Sequence, residues 1–220
     1  METILSDIEA RILGCLVEKQ VTTPEYYPLT LNALTLACNQ KNNRYPVTSY
    51  SEDQVAQAVE ALREKNLIYV FYGSTSRVPK YKHVMPEVLH LSHGELAVLC
   101  VLMLRGPQTP GELRSHGGRL HEFSGLDEIE QILNQLITRE PDPLVIRLSR
   151  QPGQKEMRFM HLLSGAVNEE LLASVEVTAT SNQRRGGNDQ IARLEQRVQD
   201  LEGIVDELRT QFGEFKKQFE

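Results

Sequence analysis

The chain has 220 residues, of which 40% are hydrophobic and 25% are charged, and its formal net charge at pH 7 is -6. These values are typical of a folded protein with two domains of ordinary size. The negative charge argues against a surface that binds DNA indiscriminately through positive charge. The longest apolar run, residues 96–104, is shorter than a bilayer requires, and no basic stretch followed by an apolar core begins the sequence. We therefore expect a cytoplasmic protein with no membrane span.

An internal repeat organises most of the chain, because residues 5–24 resemble residues 91–110 at a constant offset of 86. Each segment begins with a serine that can cap a helix, Ser6 or Ser92, continues with apolar residues at helical spacing, and ends in Thr-Pro. In the second segment the apolar residues cover all sides of the predicted helix. A helix of this kind is buried all round, so we expect it to pack on its own domain and also against the first.

Two further helices and a hairpin are predicted in each unit. Thr-Pro is typical of the start of a helix, although in the first unit Pro28 delays the second helix to about Leu29. The offset falls from 86 at the first helix to 74 at the third, so the first unit contains 12 additional residues between its second and third helices. The third helices are predicted at 51–66 and 125–140, and the hairpins at 67–84 and 143–163.

Three helices followed by a two-stranded hairpin are typical of the winged helix, a variant of the helix-turn-helix. The predicted fold is therefore mainly α with small β-hairpins (α+β), and it consists of two tandem winged-helix domains followed by a coiled-coil-type helix. We place the first domain at 1–86, the second at 87–165, a linker at 166–188 and the heptad-repeat helix at 189–220.

The last helix is predicted from apolar residues that alternate at spacings of three and four over about four heptads. Isoleucine or valine at one seam position and leucine at the other favour a parallel dimer. The alternative is a single amphipathic helix that folds back on the body of the protein. The residues of the seam are Ile191, Leu194, Val198, Leu201, Val205, Leu208, Phe212, Phe215 and Phe219.

The sequence contains no recognisable catalytic arrangement. It lacks the GxSxG pattern, the phosphate-binding loop and the GxGxxG motif. His90 and His93 are close in sequence, but no cysteine or carboxylate cluster completes a metal set at the usual spacing. Cys15, Cys38 and Cys100 each lie in an apolar helical pattern and are interpreted as small buried hydrophobes. We therefore predict a protein that is not an enzyme and that has no cofactor and no metal.

Three segments contain no acidic residue although the whole chain is acidic: 26–50, 65–86 and 143–155. Their cations and amides are candidate nucleic-acid-binding residues, with the wing cations on phosphates and the amides or Arg44 on base edges. The alternative for any single wing cation is a solubilising charge on an exposed hairpin. The candidates are Asn39, Lys41, Asn42, Asn43, Arg44, Arg77, Lys80, Lys82, Arg147, Arg150 and Lys155.

Two functions remain open at this point. The first is a transcriptional regulator that binds duplex DNA through its basic wings and the 39–50 loop, with a dimer through the tail providing two half-sites. The second is a protein–protein interaction or assembly module that forms a homodimer through the C-terminal helix or binds another protein. Acidic residues in both third helices favour the second function, because that helix normally enters the major groove, where acids meet phosphate repulsion. The clustered cations of the wings favour the first function.

The 39–50 loop belongs to the segment that only the first unit possesses. Long loops in compact domains often carry function, and this favours a binding surface beside the third helix. In the alternative interpretation the loop braces the first domain against the second, with Tyr45 as its anchor.

Four stretches of the sequence carry a family resemblance. They are LVEKQVTTPEYYPLTLNALTLACNQKNNRYPV (16–47), SRVPKYKH (76–83), LRGPQTPGELRS (104–115) and MHLLSG (160–165). With them the chain resembles the YceH-like family of uncharacterised bacterial proteins over nearly its whole length, and least specifically in the tail. The resemblance implies tandem winged helices, and it brings with it no activity and no functional residues.

Overall fold

The structure is a computed structural model, and it describes residues 4–72, 78–150 and 156–166. These residues belong to one unit, Met1–Val167. The predicted linker, the heptad-repeat helix and every seam position from Ile191 to Phe219 lie outside the described residues.

The first half of the unit contains three α-helices and three strands. Helix α1 begins after Ser6, whose backbone N–H donates to the Glu9 carboxylate at 2.6 Å, and α2 begins after Thr30, whose hydroxyl accepts from the backbone N–H of Ala33. Helix α3 begins after the cap Ser51, as the sequence predicts. The elements are α1 (Asp7–Thr22), a 3-10 turn (Pro24–Tyr26), β1 (Leu29–Thr30), α2 (Leu31–Cys38), α3 (Glu52–Glu64), β2 (Ile68–Tyr72) and β3 (Pro79–His83).

The second half has the same order of three helices and a hairpin, preceded by the short helix α4, and it has an isolated bridge at Gln108 where the first half has the 3-10 turn and β1. Ser92 and Thr109 cap α5 and α6 through their side chains, and both helices carry a complete capping box. The elements are α4 (Met85–Leu89), α5 (His93–Arg105), α6 (Pro110–Gly117), α7 (Leu126–Thr138), β4 (Val145–Arg147) and β5 (Phe159–His161). The described part of the chain therefore has seven α-helices and two small antiparallel sheets, which confirms the mixed α+β class.

Both sheets are antiparallel. Each also pairs with the segment that precedes α2 in the first half or α6 in the second half. In the first sheet the order is β1-β3-β2, with Leu29 opposite Tyr81 and Tyr69 opposite Lys82. In the second, β4 pairs with β5, and Gln108 forms an isolated bridge with Phe159. The sequence predicts only the two hairpins, because a strand of two residues is too short to show an alternating pattern.

The two halves share one continuous hydrophobic core that crosses the predicted boundary at 86–87. Helix α5 is buried on all sides from Leu96 to Leu104 and packs on α1, as its apolar composition predicts. The axes of α1 and α5 approach closely at Gly14, because a Cβ at this position would lie 2.8 Å from the Leu104 side chain. At the same place the Cys100 thiol donates to the Gly14 carbonyl at 3.3 Å. All three cysteines are free and buried, in agreement with their interpretation as small hydrophobes.

Candidate nucleic-acid interface

Arg44, a predicted contact to base edges, is buried inside the 39–50 loop with an exposed fraction of only 5%. Its guanidinium donates to both carboxylate oxygens of Glu18 on α1, at 2.5 and 3.2 Å, and to the Ala37 carbonyl at 3.2 Å. Burial lowers the pKa of Arg44, but the hydrogen bonds and negative charge of Glu18, together with the influence of Cys15, outweigh burial and raise this pKa. Because this side chain is enclosed by the protein, we correct the prediction that it reaches a base edge.

A second buried arginine fixes the same loop to α1. Arg11 is 4% exposed, and its two terminal nitrogens donate to the Cys38 carbonyl at 3.2 Å and the Pro46 carbonyl at 2.8 Å. The Asn39 amide closes the loop by donating to the Tyr50 carbonyl and accepting from the Tyr50 N–H, both at 2.8 Å. Asn39 therefore uses its acceptor and one of its two side-chain donors inside the loop, and its contact with a base edge stays a prediction.

The loop also contacts the second half. The Tyr45 N–H donates to the Leu104 carbonyl at 2.8 Å, and Arg105 on α5 donates to the Asn43 side-chain oxygen. The Tyr45 ring lies beside Gly106, 3.8 Å from where a Cβ would be. These are the contacts of a brace between the halves with Tyr45 as an anchor. They engage the side-chain oxygen of Asn43, whose contact with a base edge stays a prediction.

Lys41 and Asn42 are the candidates of this loop that remain exposed. They lie at its tip, between the internally bonded Asn39 and the buried Arg44. Two further candidates, Arg77 in the first hairpin and Lys155 in the second, lie outside the described residues.

The first sheet brings two predicted lysines together with two aromatic rings. Tyr69 pairs with Lys82, and Phe71 pairs with Lys80, in the antiparallel register of β2 and β3. Residues two apart on a strand, and directly opposed across strands, share one face. Tyr69 is 64% exposed and Phe71 48% exposed, whereas Ile68 on the opposite face is buried. We call the face formed by Tyr69, Phe71, Lys80 and Lys82 the outer face.

Within the outer face, a lysine side chain contacts an aromatic ring. The Lys82 Nζ lies 5.9 Å from the centroid of the Tyr69 ring, within the range of a cation–π interaction. Lys82 is exposed and Lys80 is half-buried, so the positive charges accompany the rings at the surface. The two aromatic residues were not among the candidates predicted from the sequence, although the period-two alternation of a strand at 68–72 places them on one face.

The second hairpin has a different surface. Arg147 is exposed and lies over the ring of Phe159, with 5.7 Å between the guanidinium carbon and the ring centroid, but this ring is buried. Arg150 is exposed beyond the end of β4. The described residues of this hairpin thus place a cation on a buried ring, whereas the outer face of the first sheet presents accessible rings.

Acidic side chains line the exposed faces of both third helices, as the sequence predicts. On α3, Glu52, Asp53, Glu60 and Glu64 are exposed, and on α7, Asp127 and Glu130 are exposed. Beside α7 is a groove of about 500 Å³, which we call the second-half groove. It is lined by Pro110, Gly111, Leu126, Glu130, Leu133, Asn134, Arg147, Glu156, Met157 and Phe159.

The described residues contain neither a metal-binding cluster nor a membrane-spanning helix. Within 4–72, 78–150 and 156–166, no three or more His, Cys, Asp and Glu side chains are grouped so that they could hold a metal ion. In the same part of the chain no helix has the length and apolar character that crossing a membrane requires.

A family model described as Protein of unknown function, DUF480, matches residues 5–154. The chain belongs to this family. The DUF480 match includes the 39–50 loop and the whole outer face. Related sequences named UPF0502 protein include one from Geotalea uraniireducens, 50% identical over all of both chains. Another, from Opitutus terrae, is 56% identical over 75% of this chain and 72% of that protein. A third, from Vibrio atlanticus, is 45% identical over 94% of this chain and all of that protein.

Proposed function

We propose that this DUF480 member is a non-enzymatic protein with tandem winged helices that binds nucleic acid through its outer face. The observation that carries the proposal is the strand register, which aligns Tyr69 with Lys82 and Phe71 with Lys80. Cations that accompany accessible aromatic rings suit a ligand with phosphates and flat bases.

The element order supports the winged-helix part of the proposal. Helix α1, the short strand β1, helices α2 and α3 and the β2–β3 hairpin follow the order of a winged helix. The second half follows with α5, the bridge at Gln108, helices α6 and α7 and the β4–β5 hairpin. In this arrangement the outer face belongs to the first wing and its sheet.

Charge distribution supports the choice of the outer face over the third helix. The chain carries a net charge of -6, yet no acidic residue occurs between 65 and 86. The exposed acids of α3 would instead repel phosphate in a major groove. We therefore assign the phosphate contacts to Lys80 and Lys82, and we add the exposed Lys41 as a further cation of the same half.

The test is fluorescence anisotropy of the full chain with a labelled 20-nucleotide strand, alone and as a duplex, at low salt. The double variant Lys80→Gln/Lys82→Gln is expected to lose affinity because two phosphate contacts disappear. The matched control, Arg114→Gln/Arg119→Gln, removes two exposed cations from the second half and is expected to bind like the wild type. Absence of salt-dependent binding of either probe by the wild type would refute the proposal.

A second candidate function, protein assembly, is favoured by the second-half groove. Its lining is largely apolar, and its acids Glu130 and Glu156 outnumber its cation Arg147, so the groove complements the lysines and rings of an outer face on a second copy of the chain. Sedimentation velocity then shows concentration-dependent association that Leu126→Glu reduces. Equal sedimentation of wild type and variant at every concentration contradicts this candidate.

The predicted seam of the tail remains part of the assembly proposal as a route to a homodimer. Leu194→Asp/Leu201→Asp places two charges in the seam and is expected to dissociate such a dimer. An unchanged sedimentation coefficient would remove the seam from the proposal.

A further inference from the structure

We infer that the outer face binds single-stranded nucleic acid in preference to a duplex, an inference that rests on the proposed function. The physical reason is that its rings are accessible. In a duplex the bases stack on one another and offer only their edges, whereas the bases of a single strand offer their flat faces to aromatic side chains.

The rings are positioned to accept separate bases. Tyr69 and Phe71 are alternate residues of β2, so their Cα atoms lie about 7 Å apart on the same face. Their exposed fractions of 64% and 48% leave ring surface available to a ligand. Two rings on one strand form a short stacking platform of the kind that tolerates any base, because every base has a flat face.

The lysines of the outer face have the same spacing along β3 as the rings have along β2. Each ring has a lysine directly across the sheet, Lys82 opposite Tyr69 and Lys80 opposite Phe71. A single strand also repeats one base and one phosphate per nucleotide. The outer face therefore matches two successive nucleotides, with stacking on β2 and phosphate contacts from β3.

The surfaces with which a winged helix reads duplex DNA are unsuited to it in this half. The exposed side of α3 presents acids that include Asp53 and Glu64. In the neighbouring loop, Arg44 is buried against Glu18, and Asn43 accepts from Arg105. A duplex bound in the usual orientation would thus meet electrostatic repulsion and side chains that are already hydrogen-bonded within the protein. The outer face is a surface of the sheet, so a ligand can bind there without α3 entering a DNA groove.

The experiment compares three labelled probes with the full chain by anisotropy: a 12-nucleotide oligo-dT, a 12-nucleotide oligo-U and a 12-base-pair mixed-sequence duplex. We expect the wild type to bind at least one single strand about tenfold or more tightly than the duplex. The two single-stranded probes establish whether the ligand is DNA or RNA. Duplex affinity equal to or greater than that of both single strands overturns the inference.

Two variants separate stacking from charge. Phe71→Leu keeps an apolar side chain but removes the ring, and it is expected to weaken the single-strand complex about tenfold, the size of one base–aromatic stack, with little effect on the duplex. Tyr26→Leu is the matched control, because Tyr26 is an exposed aromatic residue outside the outer face, at 71% exposure. Equal single-strand affinity of Phe71→Leu and wild type, with an unchanged urea midpoint, overturns the inference.

The outcomes for the inference and for the proposed function are distinct. Binding of the duplex alone, lost in Lys80→Gln/Lys82→Gln, retains the proposed function and overturns the preference for single strands. Failure of the wild type to bind any of the three probes overturns both.

Discussion

Replacing Arg44 by methionine tests the assignment of the 39–50 loop as an internal brace. The guanidinium lies against Glu18, and it also donates to the Ala37 carbonyl and the Gln40 side chain. The Arg44→Met substitution would leave the carboxylate of Glu18, a residue that is 9% exposed, without its arginine. Removing one partner of a buried pair typically costs about 3–5 kcal/mol, a large part of the roughly 5–15 kcal/mol by which a domain is stable.

Urea unfolding of the full chain measures this loss. With a slope of about 2 kcal/mol per molar, a loss of about 4 kcal/mol lowers the midpoint by about 2 M. The matched control is Lys41→Met in the same loop, whose exposed side chain predicts a change within about 0.5 kcal/mol. The double variant Glu18→Gln/Arg44→Met is expected to cost less than the sum of its single changes.

The result that refutes this assignment is a midpoint for Arg44→Met equal to that of Lys41→Met. Additive costs of the Glu18 and Arg44 changes would also contradict it, because the two side chains would then contribute independently.

Two further predictions concern the core and the pH dependence of stability. Gly14→Ala is expected to destabilise the protein by about 1–3 kcal/mol, because the new Cβ would lie 2.8 Å from the Leu104 side chain. In the control Gly118→Ala the atom nearest to the new Cβ is 3.4 Å away. Equal urea midpoints of the two variants would contradict the close approach of α1 and α5 at Gly14. Burial lowers the pKa of His83 and of His161 from 6.5 to about 4, so between these values the unfolded chain binds protons that the folded chain does not. The free energy of unfolding therefore falls as the pH is lowered through this window, by about 2 kcal/mol per histidine between pH 7 and 5. Replacement of either histidine by glutamine is expected to reduce this dependence of stability on pH. A wild-type stability that does not change between pH 7 and 5 would contradict the lowered pKa values.

The helices follow from local sequence. Ser6, Ser51 and Ser92 each precede an observed helix, because a serine oxygen and a glutamate or glutamine three residues later satisfy the first free amides. The apolar composition of α5 also predicts burial on every side. The strand β1 and helix α4 were not predicted, because elements of two and five residues contain less than the periodicity that identifies them.

The candidate site was less predictable than the fold. Lys41 and Arg44 lie three residues apart in one basic segment, yet the first is exposed and the second is buried. What distinguishes them is Glu18, which is 26 positions from Arg44 along the chain and adjacent to it in space. A contact of this kind has no local signal, whereas the pairing of Tyr69 with Lys82 depends only on alternation and hairpin register.

The central claim is that Lys80 and Lys82 contact phosphates, and the most direct measurement is the salt dependence of binding to whichever of oligo-dT, oligo-U and the duplex the wild type binds most tightly. The logarithm of the association constant is measured against the logarithm of the salt concentration for wild type and Lys80→Gln/Lys82→Gln. Loss of two contacts to a single strand is expected to reduce the magnitude of the slope by about 1.4. Equal slopes for the two proteins, or a wild type without salt-dependent binding, would contradict the claim.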